Sequence, residues 1–360
     1  MILLNKYLER TIKVVLSLAI FISLSWSVFY VLDYDQDGNQ FLYWSYVKED
    51  ENSLDGIVIG NSAINRAFVS PLAWNEKGIS FYSLSCGNQA LALARDIMDE
   101  AKKTQDYRYV VIDIHQIRRE TFYDASALSI ERVTDNMPMT SWIRWRAVKR
   151  GLNYMKRADT EAGVTKHDTL DLTYFYLKFL MYHNRWQELD MDDYVKPINA
   201  YKSAYTEDEF YTTKPFDEVS DPKEDGELTD YQKEMLKEII DYANAEKLNV
   251  LFVCSPSIMD DDNRKDINSA FKYIEDNKSE YIEYINFNTE EMFKTLNIDT
   301  KEDFYDEEHL NVYGAAKFTK YLANIISEMY DIKDKRGDKN YKSWDSAYDA
   351  YMEKKESMLK

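Results

Sequence analysis

The spacing of apolar residues changes period several times along the chain, and each change marks an element. From Val14 to Leu32 the run VVLSLAIFISLSWSVFYVL carries no charge over about 19 residues, near the minimum for a helix that crosses a bilayer. Beyond it, Ile57 to Ile59 is a short β-branched run without polar alternation, and further strand-like apolar runs follow at Ile79 to Leu84, Tyr109 to Ile114, Asn249 to Val253 and Tyr281 to Phe287. Such runs suit strands covered on both faces of a parallel sheet. Helical spacing lies between them, at Pro71 to Glu76, Ala90 to Lys103, Thr229 to Glu246 and Tyr313 to Leu322. This alternation predicts an α/β domain with a five-stranded parallel sheet in the order 2-1-3-4-5.

From Arg118 to Asp230 the rhythm stops, leaving helical patches such as Ser141 to Arg157 and Leu170 to Trp186. An insertion after the third strand is expected to lie over the carboxyl edge of the sheet, as a lid or one wall of a substrate groove. Within Tyr182 to Trp186, His183, Arg185 and Trp186 are candidate substrate contacts, because rings stack on sugars and guanidinium binds anions. The same cluster also suits a packed helical cap. Lys214 to Glu227 reads as an exposed acidic loop, and beyond Met329 the chain is charged and Tyr-rich with a terminal helix at Ser343 to Leu359. The expected organisation is a cytoplasmic stretch 1–13, a span 14–32, a linker 33–53, an α/β domain 54–330 that includes the insertion 118–230, and a charged tail 331–360.

With 360 residues, 45% hydrophobic and 14% aromatic, the chain can build one sizeable core. A net charge of −19 argues against nucleic acid, since no basic stripe could neutralise phosphates on that background. Lys6, Arg10 and Lys13 precede the apolar run and Asp33, Asp35 and Asp37 follow it, which predicts a cytoplasmic N-terminus and an outward-facing remainder. No small-x-small site follows before Tyr34, so an uncleaved single-pass anchor is expected rather than a signal peptide.

The 2 cysteines, Cys86 and Cys254, end the second and fourth strands, three positions apart in the sheet. At about 14 Å they are too distant for a disulfide. Asp33 to Gly38 imitates the start of an EF-hand loop, but its twelfth position is Trp44, and Asp260 to Asn263 has no neighbouring histidine; neither predicts a metal. No cofactor is expected.

The chemistry concentrates in two stretches. In Leu54 to Phe68, LDGIVIGNSAINRAF, Gly60-Asn61-Ser62 breaks the first strand just before a helix, placing Ser62 at the carboxyl edge of the sheet near free N–H groups. That position suits a nucleophile; it equally suits an N-cap formed by Asn61 or Ser62. In Asp303 to Leu322, DFYDEEHLNVYGAAKFTKYL, Asp306 and His309, one of only 4 histidines, stand three apart before a helix. A serine needs an imidazole to take its proton, and the imidazole needs a carboxylate to fix its tautomer. Ser62, His309 and Asp306 supply those roles, although Asp306 and His309 also read as helix caps. Gly87, after the second strand, allows close backbone approach, so its N–H can join that of Ser62 in holding an oxyanion.

The order of a Gly-Asn-Ser turn, a glycine after the second strand and Asp-x-x-His before the last helix resembles the SGNH or GDSL hydrolases. The closer resemblance is to their membrane-anchored cell-envelope branch, which includes teichoic-acid D-alanyl transfer proteins and polysaccharide O-acetyltransferase partners. It covers Leu54 to Ile114 and Asn249 to Met329. It implies a three-layer flavodoxin-like fold and an extracytoplasmic serine-dependent acyltransferase or esterase. Its substrates would be O-acyl groups of envelope polysaccharide or teichoic acid, and its partner a multi-spanning membrane acyltransferase. Ser62, Asp306 and His309 would be catalytic, with Ser62, Gly87 and Asn88 as the oxyanion hole. Two departures stand out: Gly60-Asn61-Ser62 replaces Gly-Asp-Ser, and the Gly-x-Asn-Asp block after the third strand reads Ile112-Asp113-Ile114-His115-Gln116. Asn61, His115 and Gln116 are therefore candidate polar contacts to substrate, although His115 reads more readily as a satisfied structural histidine. The missing block also leaves open a non-catalytic anchored scaffold that keeps the fold.

Overall fold

A computed structural model describes residues 2–32, 45–118, 126–166, 171–176, 183–195, 199–222 and 224–359. The acidic run at 33–38, Trp44 and Tyr182 lie outside them. The chain divides into two compact units, one drawn from Met1–Gly38 with Asp171–Pro197 and the other from Asn39–Leu170 with Ile198–Lys360.

The first unit holds helix α1, Ile2–Leu32, of 31 residues. It is apolar and exposed along Lys6–Leu32, long and apolar enough to cross a membrane. The same unit contains the short turns Leu172–Tyr176, His183–Gln187 and Met191–Tyr194.

The second unit is α/β. Strands β1 (Gly56–Ile59), β2 (Phe81–Ser83), β3 (Tyr109–Asp113), β4 (Asn249–Cys254) and β5 (Ile282–Asn286) form one sheet in the order β2-β1-β3-β4-β5, every pair parallel. Val58, Val111, Leu251 and Val253 point to one face, into a core with residues of α2 (Ser62–Ala67), α3 (Ser70–Lys77), α9 (Glu290–Leu296) and α10 (Val312–Met329). Their alternates Ile57, Ile59, Ile112 and Phe252 are buried on the other face. On that side lie α4 (Ala94–Ala101), α7 (Asp230–Glu246) and α8 (Asp261–Asp276). Burial on both faces is why β1 and β4 read as nearly unbroken apolar runs, whereas the edge strand β5, only partly buried, carries Glu283 and Asn286. Thr229 starts α7 with a capping box closed by Gln232, and Asp260 caps α8, so the acidic run Asp260 to Asp262 is a helix start.

Among the described residues of 118–230 there is no strand. Helices α5 (Ala127–Thr134) and α6 (Trp142–Ala162) pack on each other, and α6 lies along α4 rather than over the carboxyl edge. Ion pairs from Arg146 and Arg150 to the buried Asp96 fasten it there. The later stretch does reach the site, through Tyr205 and Phe210 packed beside Val312. Of the insertion expected over the carboxyl edge, the long helix α6 instead flanks the domain, because its charged face matches α4.

The charged C-terminal segment is part of the fold. Helix α11, Lys342–Met358, lies against α3, with Trp344 and Tyr351 buried and Trp74 donating to Asp345 at 2.9 Å. Cys86 and Cys254 are buried and are not joined in a disulfide.

Candidate active site

The site begins where β1 stops. Gly60 has φ 155°, and a Cβ there would come within 2.6 Å of Ile64 Cγ2 and 2.8 Å of Asp113 Cβ, so a residue with a side chain does not fit. Asn61 then caps α2, its Oδ1 accepting from Ala63 N at 3.0 Å. The capping reading thus belongs to Asn61 alone. Ser62 is left as the first helical residue, partly exposed, with its hydroxyl directed elsewhere.

It is directed to His309. Ser62 Oγ lies 2.8 Å from His309 Nε2, and His309 Nδ1 lies 2.7 and 2.9 Å from the Asp306 carboxylate oxygens. Ionised Asp306 has no proton to give, so Nδ1–H donates to it and Nε2 accepts from the serine. Burial pushes the Asp306 carboxyl up. The His309 hydrogen bond and charge, the Glu308 N–H and the Arg66 guanidinium outweigh burial and hold it below its usual value.

The Asp-x-x-His spacing is a hairpin. β6 (Phe304–Asp306) and β7 (His309–Leu310) pair antiparallel with Asp306 opposite His309. Helix α10 is capped by Asn311, which accepts from Tyr313 N at 2.9 Å and Gly314 N at 3.2 Å. Asp306 and His309 therefore do not cap that helix.

The turn after β2 is tied to the serine turn at three points. Cys86 N donates to Gly60 O at 3.1 Å, Asn65 Nδ2 to Ser85 O at 2.9 Å, and Gly60 N to Gln89 Oε1 at 2.9 Å. Gly87 and Asn88 follow, Asn88 with φ 54°. Among the described residues the N–H groups of Ser62, Gly87 and Asn88 have no acceptor. Where Gly87 lacks a Cβ, Arg132 of α5 brings a guanidinium nitrogen to 2.5 Å from the vacant position.

His115 and Gln116 do not point to a ligand. Gln116 accepts from Leu91 N at 3.0 Å and reaches Asn88 O at 3.4 Å, bracing the β2 turn. His115 is wholly buried, with Nδ1 3.2 Å from Asn61 Nδ2 and Nε2 3.2 Å from Ser257 Oγ. Asn61 Nδ2 can only donate, so Nδ1 accepts and Nε2 carries the proton. Burial, then the nearby Arg118 and His309 charges, push the His115 ring well below its usual range, and it stays neutral. His115 is thus a satisfied structural histidine, and the candidate substrate contact at Gln116 is corrected: both side chains are consumed in holding the turns. Asn61 is likewise buried and engaged.

Beside them Asp113 accepts from Ser255 Oγ at 2.6 Å, Ser255 N at 3.0 Å and His115 N at 2.6 Å. Burial nevertheless pushes its carboxyl up to about 6. Arg118 joins this layer to the β6–β7 hairpin, donating to His115 O at 3.0 Å and to Glu308 at 2.8 Å.

His183, Arg185 and Trp186 lie on a turn of the unit that contains α1. There Arg185 pairs with Asp193, and Trp186 is exposed. Sequence reasoning missed Arg66 and the tyrosines around it. Arg66 sits over the rings of Tyr205 and Tyr305 at 4.6 and 4.8 Å, and Tyr305 stacks on His309 at 5.3 Å. The available signal was Arg66's place one helical turn after Ser62. Among the described residues no cluster of His, Cys, Asp and Glu could hold a metal. No family model, curated protein or solved structure matches this chain.

Proposed function

We propose that this chain is an extracytoplasmic, membrane-anchored acyltransferase or esterase of the SGNH or GDSL type. It would form an acyl-serine at Ser62 and act on O-acyl groups of envelope polysaccharide or teichoic acid. The observation that carries the reading is the unbroken Ser62–His309–Asp306 hydrogen-bond chain, at 2.8 and 2.7 Å, on a partly exposed serine at the carboxyl edge of a parallel sheet.

In this mechanism Ser62 Oγ attacks the ester carbonyl while His309 Nε2 takes its proton, and Asp306 stabilises the resulting imidazolium. The carbonyl oxygen becomes an oxyanion held by the unsatisfied N–H groups of Ser62 and Gly87, with Asn88 beside them. His309 returns the proton to the departing alcohol. An acceptor hydroxyl or water then attacks the acyl-serine with His309 as base, giving transfer or hydrolysis. The α1 helix would hold the site near wall-linked or lipid-linked acceptors and beside a multi-spanning partner that exports acyl groups.

The test uses the full chain in detergent micelles with a simple acyl ester, with and without envelope glycan. An acyl group on Ser62, found by mass spectrometry and absent from Ser62→Ala, is expected. Labelled glycan would establish transfer, and rapid release into water an esterase. Absence of acyl-Ser62 under all these conditions would refute the proposal and leave the scaffold reading.

A further inference from the structure

Arg66 is the one cation that reaches the Asp306–His309 pair from the helix bearing the nucleophile. Four residues after Ser62, it lies on the same face one turn on. Its Nη1 is 3.9 Å from Asp306 Oδ2, and its Nη2 is 3.3 Å from Tyr205 Oη. The guanidinium is set between the rings of Tyr205 and Tyr305, and Tyr305 lies nearly parallel to the His309 imidazole, at 12°. Cation, carboxylate and imidazole thus form one packed group, whose outer ring, Tyr205, comes from the insertion.

The other charged or titratable groups around the pair are few. Glu307 and Glu308 belong to its own turn, and Glu308 is paired with Arg118. His115, behind Asn61, is neutral. Ser62 faces Nε2. A cation fixed beside Asp306 favours the ionised carboxylate and opposes proton uptake by the adjoining imidazole. At 3.9 Å it acts through charge without competing for the hydrogen bonds that orient His309.

We infer that Arg66, clamped by Tyr205 and Tyr305, is a positioning residue. It sets the pH at which the Asp306–His309 pair becomes competent to activate Ser62, and through Tyr205 it makes the insertion part of that machinery. The inference rests on the acyl-serine reading for its catalytic consequence, but the electrostatic coupling can be measured without it.

The experiment compares wild type, Arg66→Met and Arg66→Lys as full chains in detergent micelles. Two readouts are taken across pH: the rate at which a fluorophosphonate labels Ser62, and the NMR titration of the His309 ring. In Arg66→Met both curves are expected to move to higher pH by about half a unit or more. Arg66→Lys, which keeps the charge, should hold them within about a quarter of that shift. Superposition of Arg66→Met on wild type, or equal displacement by Lys and Met, would overturn the inference. If wild type is not labelled, the acyl-serine reading fails alone and the ring titration still decides. If Arg66→Met does not fold, Tyr205→Leu loosens the same charge; a smaller shift in the same direction is expected, and an unmoved ring titration would overturn the inference.

Discussion

Asp306 and His309 face each other as the closing pair of a two-residue hairpin, so the backbone ladder sets the distance between carboxylate and imidazole. The following helix is capped by a different residue, Asn311, so the Asp306–His309 pair is separate from capping along the chain.

That separation predicts opposite outcomes for two neighbouring substitutions. His309→Ala should leave thermal stability nearly unchanged while acylation of Ser62 per folded molecule falls by about three orders of magnitude or more, with Asp306→Asn acting in the same direction. Asn311→Ala should instead cost about 1–2 kcal/mol of stability and leave acylation in proportion to folded protein. Denaturant melts beside mass-spectrometric counting of acyl-Ser62 distinguish them; equal activity in His309→Ala would remove it from the mechanism.

The layer behind the serine should respond differently. His115→Leu leaves the Asn61 Nδ2 group without its acceptor and takes from Ser257 Oγ one of two donors, Asn288 Nδ2 remaining, and is expected to cost about 1–3 kcal/mol. Acylation per folded molecule should fall about tenfold, far less than in His309→Ala, because the loss acts through Asn61. A drop as deep as that of His309→Ala would mean that His115 itself handles a proton.

Asp113 gives a pH dependence of stability. Its folded-state carboxyl is raised to about 6 by burial, above its unfolded value near 3.9. Its contribution is therefore complete below about pH 4 and is lost as pH rises through about 6, on the order of 2–3 kcal/mol across that window. Chemical denaturation from pH 4 to 7 should show a flatter profile for Asp113→Asn than for wild type. Parallel profiles would contradict the raised value.

The C-terminal helix is expected to be indispensable. Trp344→Ala removes a buried ring packed on Trp74 at 5.7 Å and should cost about 3–5 kcal/mol. A melting temperature within a degree or two of wild type would show that α11 is dispensable.

Topology has its own test. Lys6, Arg10 and Lys13 on the N-terminal side of α1 predict, by the bias of positive charge to the cytoplasmic side, that the remainder lies outside the membrane. Protease added to intact cells stripped of their wall should degrade the chain after Asp33. Full protection would reverse the orientation.

The sheet was legible because strands buried on both faces have no polar alternation to confuse their length, as in Ile57 to Ile59 and Asn249 to Val253. Ser62, Asp306 and His309 were legible as residue types with an order in the chain, and the structure places them in hydrogen-bond contact. What could not be read was which polar residue is spent where. Asn61, Ser62, Asp306, His309 and Asn311 are all competent caps, and only the backbone path assigns the work to Asn61 and Asn311. His115 and Gln116 sit at the correct edge of the sheet, yet a side chain's direction depends on local turns that carry no periodic signal. Arg66 and Tyr205 are 139 positions apart in sequence, a pairing that no local pattern announces.

The cross-ties between the serine turn and the Gly87 turn have a mechanical meaning. Three hydrogen bonds, two of them from or to the side chains of Asn65 and Gln89, make the two loops a single rigid jaw. One loop cannot open without breaking buried bonds in the other. Under the proposed acyl-serine chemistry, discrimination among acyl groups on this side would be a matter of fixed shape, and accommodation of a larger group would fall to the opposite wall, where Tyr205 and the insertion meet α2.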